Sequence, residues 1–264
     1  MISPLAQVHP SSKIGNNVTI DAFAVIEDGV SIGDDTHIMS HAVILKGSNI
    51  GRSCRVFPGA VIGAVPQDLK FSGEETTVEI GDHTTIRECV TVNRATKEKW
   101  KTVVGSHCLL MAYTHVAHDC TLGNYVIIAN NVQIAGHVEI DDYAIIGGTT
   151  GITQFVRLGA HTYTAAHAIV TKDVPPYIKT GRIPFCFAGI NAVGLQRKGF
   201  TSEQINEIHE IYRHIYMKGL NTSQALESIE SNFSSKEKDE IVNFIKASKR
   251  GIIKSSSKEG DNED

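Results

Sequence analysis

The 264 residues suffice for one large domain or one domain with an appendage, and an apolar content of 41% with only 6% aromatics suits a core of small aliphatic side chains. A formal charge of −4, of which −3 falls on the tail from Ser255 to Asp264, leaves no basic field and argues against nucleic acid as the main partner. Five cysteines (Cys54, Cys89, Cys108, Cys120 and Cys186) without a CxxC pair predict reduced thiols in a cytoplasmic protein, and neither a signal peptide nor a membrane span is read.

From Val8 the chain places an aliphatic residue at every sixth position, unbroken through Ile62. The pattern lapses at Asp68 and Glu74, resumes in register at Ile80, Ile86 and Val92, lapses at Glu98, then runs from Val104 to Val170 with Thr164 as its exception. Chance does not produce this when roughly a quarter of residues are aliphatic. Gly often follows, as at Gly15, Gly33, Gly51, Gly105 and Gly123, where it is expected to ease a tight corner. A short strand, an inward aliphatic and a corner every six residues describe a hexapeptide parallel β-helix. Stacked coils bury a shared ladder because adjacent strands lie about 4.8 Å apart. With three hexads per triangular coil, residues 18 apart stack. An ordinary β-sandwich would instead show alternating runs and turns every 8–12 residues or so.

Two polar stretches, 64–79 and 93–103, leave the register unchanged and read as loops extruded from the prism, the usual place for function on a rigid repeat. The first carries Gln67-Asp68-Leu69-Lys70; the second carries Asn93, Arg94 and four further charged residues. The β-helix is predicted over 1–184, its ladder ending near Asp173-Val174-Pro175-Pro176-Tyr177, because adjacent prolines cannot continue a ladder. A helical domain is predicted over 185–252. Its first helix starts at a Thr201/Ser202 cap with Gln204 and stops at Gly219; a second follows Thr222. A third runs from about Ser235 to Arg250, stopped by Gly251. Residues 253–264 are read as a polar, disordered tail.

The chemistry concentrates in Thr114-His115-Val116-Ala117-His118-Asp119-Cys120. With Val116 inward, the 18-residue rule puts His118, Gly136 and Gln154 in one column and Asp119 and His137 in the next. An imidazole of ordinary pKa near 6.5 can take a hydroxyl proton, so His118 is the candidate general base. Asp119 would fix its tautomer and stabilise the imidazolium. The Gly136 N–H would receive an oxyanion from a thioester carbonyl. Two other readings stand beside this one: ordinary corner histidines, or zinc held by His115, His118 and His137. The adjacent acid and the lack of a His-x4-His pair favour a base, so no metal is expected.

Taken together, the hexads, Gln67-Asp68-Leu69-Lys70, His115–Cys120, Ala135-Gly136-His137, Asp173–Tyr177 and Gly194-Leu195-Gln196-Arg197-Lys198-Gly199-Phe200 resemble one family over residues 1–252. It is the acyl-carrier-protein-dependent UDP-N-acetylglucosamine O-acyltransferases that begin lipid A synthesis in Gram-negative bacteria. The resemblance implies a left-handed prism and a homotrimer with sites in clefts between neighbouring prisms. The acyl donor is then a 4'-phosphopantetheine thioester on acyl carrier protein, with no resident cofactor, and the sugar's 3-hydroxyl attacks a 3-hydroxyacyl group. It assigns His118 as base, Asp119 as its orienter and Gly136 as oxyanion donor. Gln67, Asp68 and Lys70 would contact sugar nucleotide or pantetheine. His115, His137 and Gln154 would line the nucleotide and acyl site. Asn191 and Arg197 would bind the nucleotide, Arg197 near phosphate. Lys198 would face the acidic carrier protein. Acyl length would be gauged at Ala166, whose small side chain leaves room for a fairly long chain, with Tyr163 and His167 able to change the depth. Three departures, Asn93, Thr153 and Val193, bear on the nucleotide contacts rather than on the base. The alternatives carried forward are a related hexapeptide sugar N-acyltransferase and a non-catalytic β-helix scaffold. The N-acyltransferases have an extra N-terminal domain, whereas hexads here begin at Val8.

Overall fold

The computed structural model describes residues 1–181 and 183–255. Short strands, most of two residues, form three sheets of nine, eight and ten strands, and up to Val170 each strand pairs with the third one along the chain. The chain thus visits three faces in turn and builds a left-handed parallel β-helix. Pairs such as Gln7↔Val25, Lys13↔Ser31 and His115↔Gln133 show the 18-residue stacking. Register lengthens where the loops leave the prism, Ile50 pairing with Ile80 and Ile80 with Val104, and shortens to 16 at the last coil, where Tyr163 pairs with Lys179. The flanking strands are longer than the repeat alone predicts, Val61–Ala64, Thr77–Ile80 and Lys101–Val104. The loops proper therefore narrow to 65–76 and 94–100. Asn93 and its neighbours tie them together: Asn93 Nδ2 donates to the Ala64 and Val65 carbonyls, and Thr76 Oγ1 to the Ala95 carbonyl.

The core holds two inward columns per hexad, not one. Beside the aliphatic ladder of Ile20, Ile26, Ile38 and Leu110 runs a column of smaller residues two positions earlier, among them Val18, Ala24, Thr36, Cys54, Cys108 and Cys120, all buried. The tight corner also lies elsewhere than expected. The left-handed residue is the third after the aliphatic, for example Asn17, Asp35, Asp119 and His137, at φ between 54° and 62°. Side chains tolerate this strained region because the stacked coil fixes the backbone. The Gly just after the aliphatic answers a different demand: a Cβ on Gly33 would lie 2.7 Å from Arg52 N and Gly51 C in the next coil.

Pro175 and Pro176 do not end the ladder. They occupy a corner with Tyr177 in the left-handed region, and Ile178–Thr180 continues the sheet beside Tyr163. A four-residue strand, Phe187–Ile190, then turns back antiparallel. Four helices follow: α1 Ala192–Arg197, α2 Ser202–Tyr216, α3 Thr222–Asn232 and α4 Lys236–Ala247. Reciprocal capping boxes start α2 (Thr201, Gln204) and α3 (Asn221, Gln224), and Ser235 caps α4. The repeat-free sequence gave no sign of α1. Ile208, Ile211, Ile229, Ile241 and Phe244 join the prism's core, and Tyr212 donates to the Pro176 carbonyl. Ile253 is buried, and Ser255 bridges Phe187, so the chain stays packed beyond residue 252; the expectation of disorder for 256–264 lies outside the described residues. Among the described residues no helix is long and apolar enough to cross a membrane.

Candidate active site

His118 is the second residue after inward Val116 and stands at the corner leaving the His115–Val116 strand. Asp119, the left-handed residue of the same corner (φ 60°), is 0% exposed. This conformation folds the carboxylate back to its neighbour, and His118 Nδ1 lies 2.8 Å from Asp119 Oδ2. The second loop caps the carboxylate from the other side. Thr96 donates through N (3.1 Å to Oδ1) and Oγ1 (2.8 Å to Oδ2), and Lys99 N donates to Oδ1 at 3.1 Å. Burial pushes the Asp119 carboxyl up, but hydrogen bonds from His118 and Thr96 outweigh it and leave the group below its ordinary value. An ionised carboxylate only accepts, so Nδ1 of His118 carries a proton, and in the neutral ring that tautomer leaves the lone pair on Nε2.

The predicted columns form. A Cβ on Gly136 would lie 2.7 Å from His118 Cε1 and 2.8 Å from Nε2, so the imidazole occupies the space a side chain would need. Among the described residues the Gly136 N–H donates to no protein acceptor. Gln154 follows on the next coil. These groups open onto a groove of about 450 Å³ that also takes in Gln67, His115, Gln133, Gly151, Thr153 and Ile169. His115 Nδ1 meets Thr91 Oγ1 at 2.7 Å, and burial, then the nearby His118, holds its pKa below the usual histidine value.

Other expected site residues lie apart. His137 stacks on Phe155 (4.5 Å) behind the dyad, its Nε2 3.8 Å from Asp119 Oδ2 and 3.5 Å from Glu98. It opens onto a second hollow with Lys99, Arg157 and Arg250, because the left-handed corner points column 119/137/155 away from the groove. Asp68 closes a turn on Lys70 N (2.9 Å), and neither side chain lines the groove. Asn191 caps α1 and donates to the His161 carbonyl (2.9 Å), and Arg197 ends that helix, both at a different prism edge from His118. Lys198 sits over Tyr143 (4.7 Å) at that same edge, on a file of stacked rings through Tyr125 and His107. Ala166 turns the chain into the Ile169–Val170 strand, across the sheet face from His118. Of the departures, Asn93 braces the first loop, Thr153 Oγ1 donates to the Val170 carbonyl and Val193 is exposed.

His118, Asp119 and His137 place ligand atoms within 4.8 Å of one another. Yet His118, Thr96 and Lys99 already claim the Asp119 lone pairs, which leaves a cation little to bind. Sequence reasoning missed Thr96, Lys99 and Gly151. Lys99 acts through its backbone N–H, which no residue identity announces, and Thr96 through both its N–H and its hydroxyl. Gly151 sits in a strand where a Cβ would meet nothing within 4 Å.

A family model described as UDP-N-acetylglucosamine O-acyltransferase, domain 2, matches residues 173–253, and one for bacterial transferase hexapeptides matches 11–46 and 101–136. An acyl-[acyl-carrier-protein]–UDP-N-acetylglucosamine O-acyltransferase of Chlorobaculum parvum is 48% identical over 95% of this chain and 96% of its own; that of Herminiimonas arsenicoxydans is 42% identical over 96% and 99%. The crystal structure of the UDP-N-acetylglucosamine acyltransferase from Bacteroides fragilis superposes with a TM-score of 0.95 at 51% identity, covering 96% of this chain and 100% of that one.

Proposed function

The chain belongs to the acyl-[acyl-carrier-protein]–UDP-N-acetylglucosamine O-acyltransferases, and from that premise we propose how its residues divide the work. It transfers an acyl group from acyl carrier protein to UDP-N-acetylglucosamine, the reaction that opens lipid A synthesis. The sugar's 3-hydroxyl attacks the carbonyl carbon of a 3-hydroxyacyl thioester while His118 Nε2 takes the hydroxyl proton. Asp119 holds Nδ1–H and stabilises the imidazolium. The carbonyl oxygen, now an anion, sits at the Gly136 N–H. Collapse expels the pantetheine thiolate, and the imidazolium returns its proton to the sulfur. The products are the sugar ester and free carrier thiol. No metal is needed to lower the hydroxyl's pKa, since the imidazole removes the proton in the transition state.

Gln67, His115 and Gln154 would position the sugar nucleotide within the groove, with Asp68, Lys70, Asn191 and Arg197 reaching it from outside. The last two favour an assembly: one chain holds them at a different edge from His118, so a neighbouring prism of a homotrimer would have to supply them. Lys198 would meet the acidic carrier protein, and the reaction would take place in the cytoplasm. The observation that carries this reading is the buried Asp119–His118 pair facing a bare Gly136. His118→Ala, assayed with UDP-N-acetylglucosamine and a panel of acyl carrier protein thioesters, is expected to lose roughly 10²–10⁴ in turnover; near wild-type turnover would remove the base assignment.

A further inference from the structure

We propose that Thr96 is a positioning residue of the dyad, its hydroxyl fixing the Asp119 carboxylate so that His118 presents Nε2 to the groove. Thr96 is 6% exposed. Its Oγ1 accepts from Glu98 N (3.2 Å), and a backbone N–H can only donate, so the hydroxyl hydrogen is directed at Asp119 Oδ2, 2.8 Å away. Thr96 N and Lys99 N complete the cradle, and the turn is closed by Trp100 N on the Thr96 carbonyl. Thr76 of the first loop braces this loop through the Ala95 carbonyl, and Lys99 Nζ anchors it to the prism at Glu139, 2.8 Å away. The second loop is therefore a clamp on one carboxylate. A donor on Oδ2 does two things: it stops the carboxylate rotating, and it withdraws charge from the oxygen that faces the imidazole.

The inference rests on the base assignment above. The test compares Thr96→Val, Thr96→Cys and Thr96→Ser with wild type and His118→Ala in the full-length protein. Thr96→Val is expected to lower kcat about 10-fold or more, with KM for UDP-N-acetylglucosamine within about 2-fold. Losing the donor leaves more charge to hold the imidazolium, so the acid limb of the kcat/KM–pH profile should move up by about 0.5 pH unit. The other charged or titratable groups facing the pair, His115, His137, Glu98 and Lys99, are unchanged in every variant. Thr96→Ser should recover kcat to within about 3-fold, and Thr96→Cys, a weaker donor of similar size, should fall between; this pair decides the matter if the valine variant does not fold. A Thr96→Val or Thr96→Cys enzyme with an unmoved acid limb, or a serine variant as impaired as valine, overturns the proposal. An active His118→Ala enzyme removes the base reading itself, whereas an inactive one beside a normal Thr96→Val removes only the role of Thr96.

Discussion

Gly136 is held to glycine by its neighbour rather than by its own backbone. The His118 ring is tethered through Nδ1 and cannot swing far, so a methyl 2.7 Å from Cε1 has to displace the base or the strand. Gly136→Ala is expected to cost about 10²-fold or more in kcat, comparable to losing an oxyanion donor, while circular dichroism stays unchanged; an alanine enzyme of normal kcat contradicts the arrangement. At this scale the sequence was legible where side chains carry the chemistry. Counting in eighteens from His118 found Gly136 and Gln154, because an uninterrupted ladder converts sequence spacing directly into adjacency. The same counting set His137 beside Asp119 but could not tell that the left-handed corner turns both away from the groove. Main-chain donors such as Lys99 N were beyond reach, since every residue type but proline offers one.

Each coil is an interchangeable unit, and what distinguishes one from the next is its outward row. Along the groove this row reads His115, Gln133, Gly151 and Ile169 on successive paired strands. Gly151 has neither a positive φ nor a close neighbour to exclude a side chain. Its bareness leaves the groove wider beside Ile169, where an acyl chain would lie under the proposed function. Gly151→Val is therefore expected to fold normally, to lose about 10-fold in kcat/KM with the longest acyl donors and to keep short donors within about 2-fold; an equal loss across the series would assign the position elsewhere. Elements were readable where periodicity reported them. The strands and the three longer helices follow from period 6 and period 3.6. Helix α1, six residues with Leu195 alone fully buried, is too short to show a period. The paired prolines misled because a corner, unlike a strand, demands no ladder hydrogen bond from either residue.

Across the whole molecule, the proposed roles of Asn191 and Arg197, set against their separation from His118, predict that activity requires an assembly. Co-refolding inactive His118→Ala with inactive Arg197→Ala should restore a fraction of wild-type turnover, because mixed assemblies contain some clefts with both groups intact; no recovery would place each site within one chain. The histidines give a second global prediction. His115, His137, His161 and His214 all have pKa values lowered first by burial. A lowered histidine pKa means the unfolded chain binds protons more readily, so the fold keeps its full stability above about pH 6.5 and loses it as pH falls through the lowered values. Asp141, whose carboxyl burial raises to about 6, works the other way by adding stability as pH falls through that value, so in an Asp141→Asn variant Tm should decline between pH 7 and 5, and a rise there would contradict the histidine burial.

The 18-residue register has one more consequence. Backbone positions along this wall come in fixed increments, one rung at a time, so the span between the base and any contact farther along cannot be adjusted smoothly by moving the main chain. Fine tuning of what fits must fall to the length of individual side chains, while a coarse change would take the gain or loss of an entire turn of the spiral.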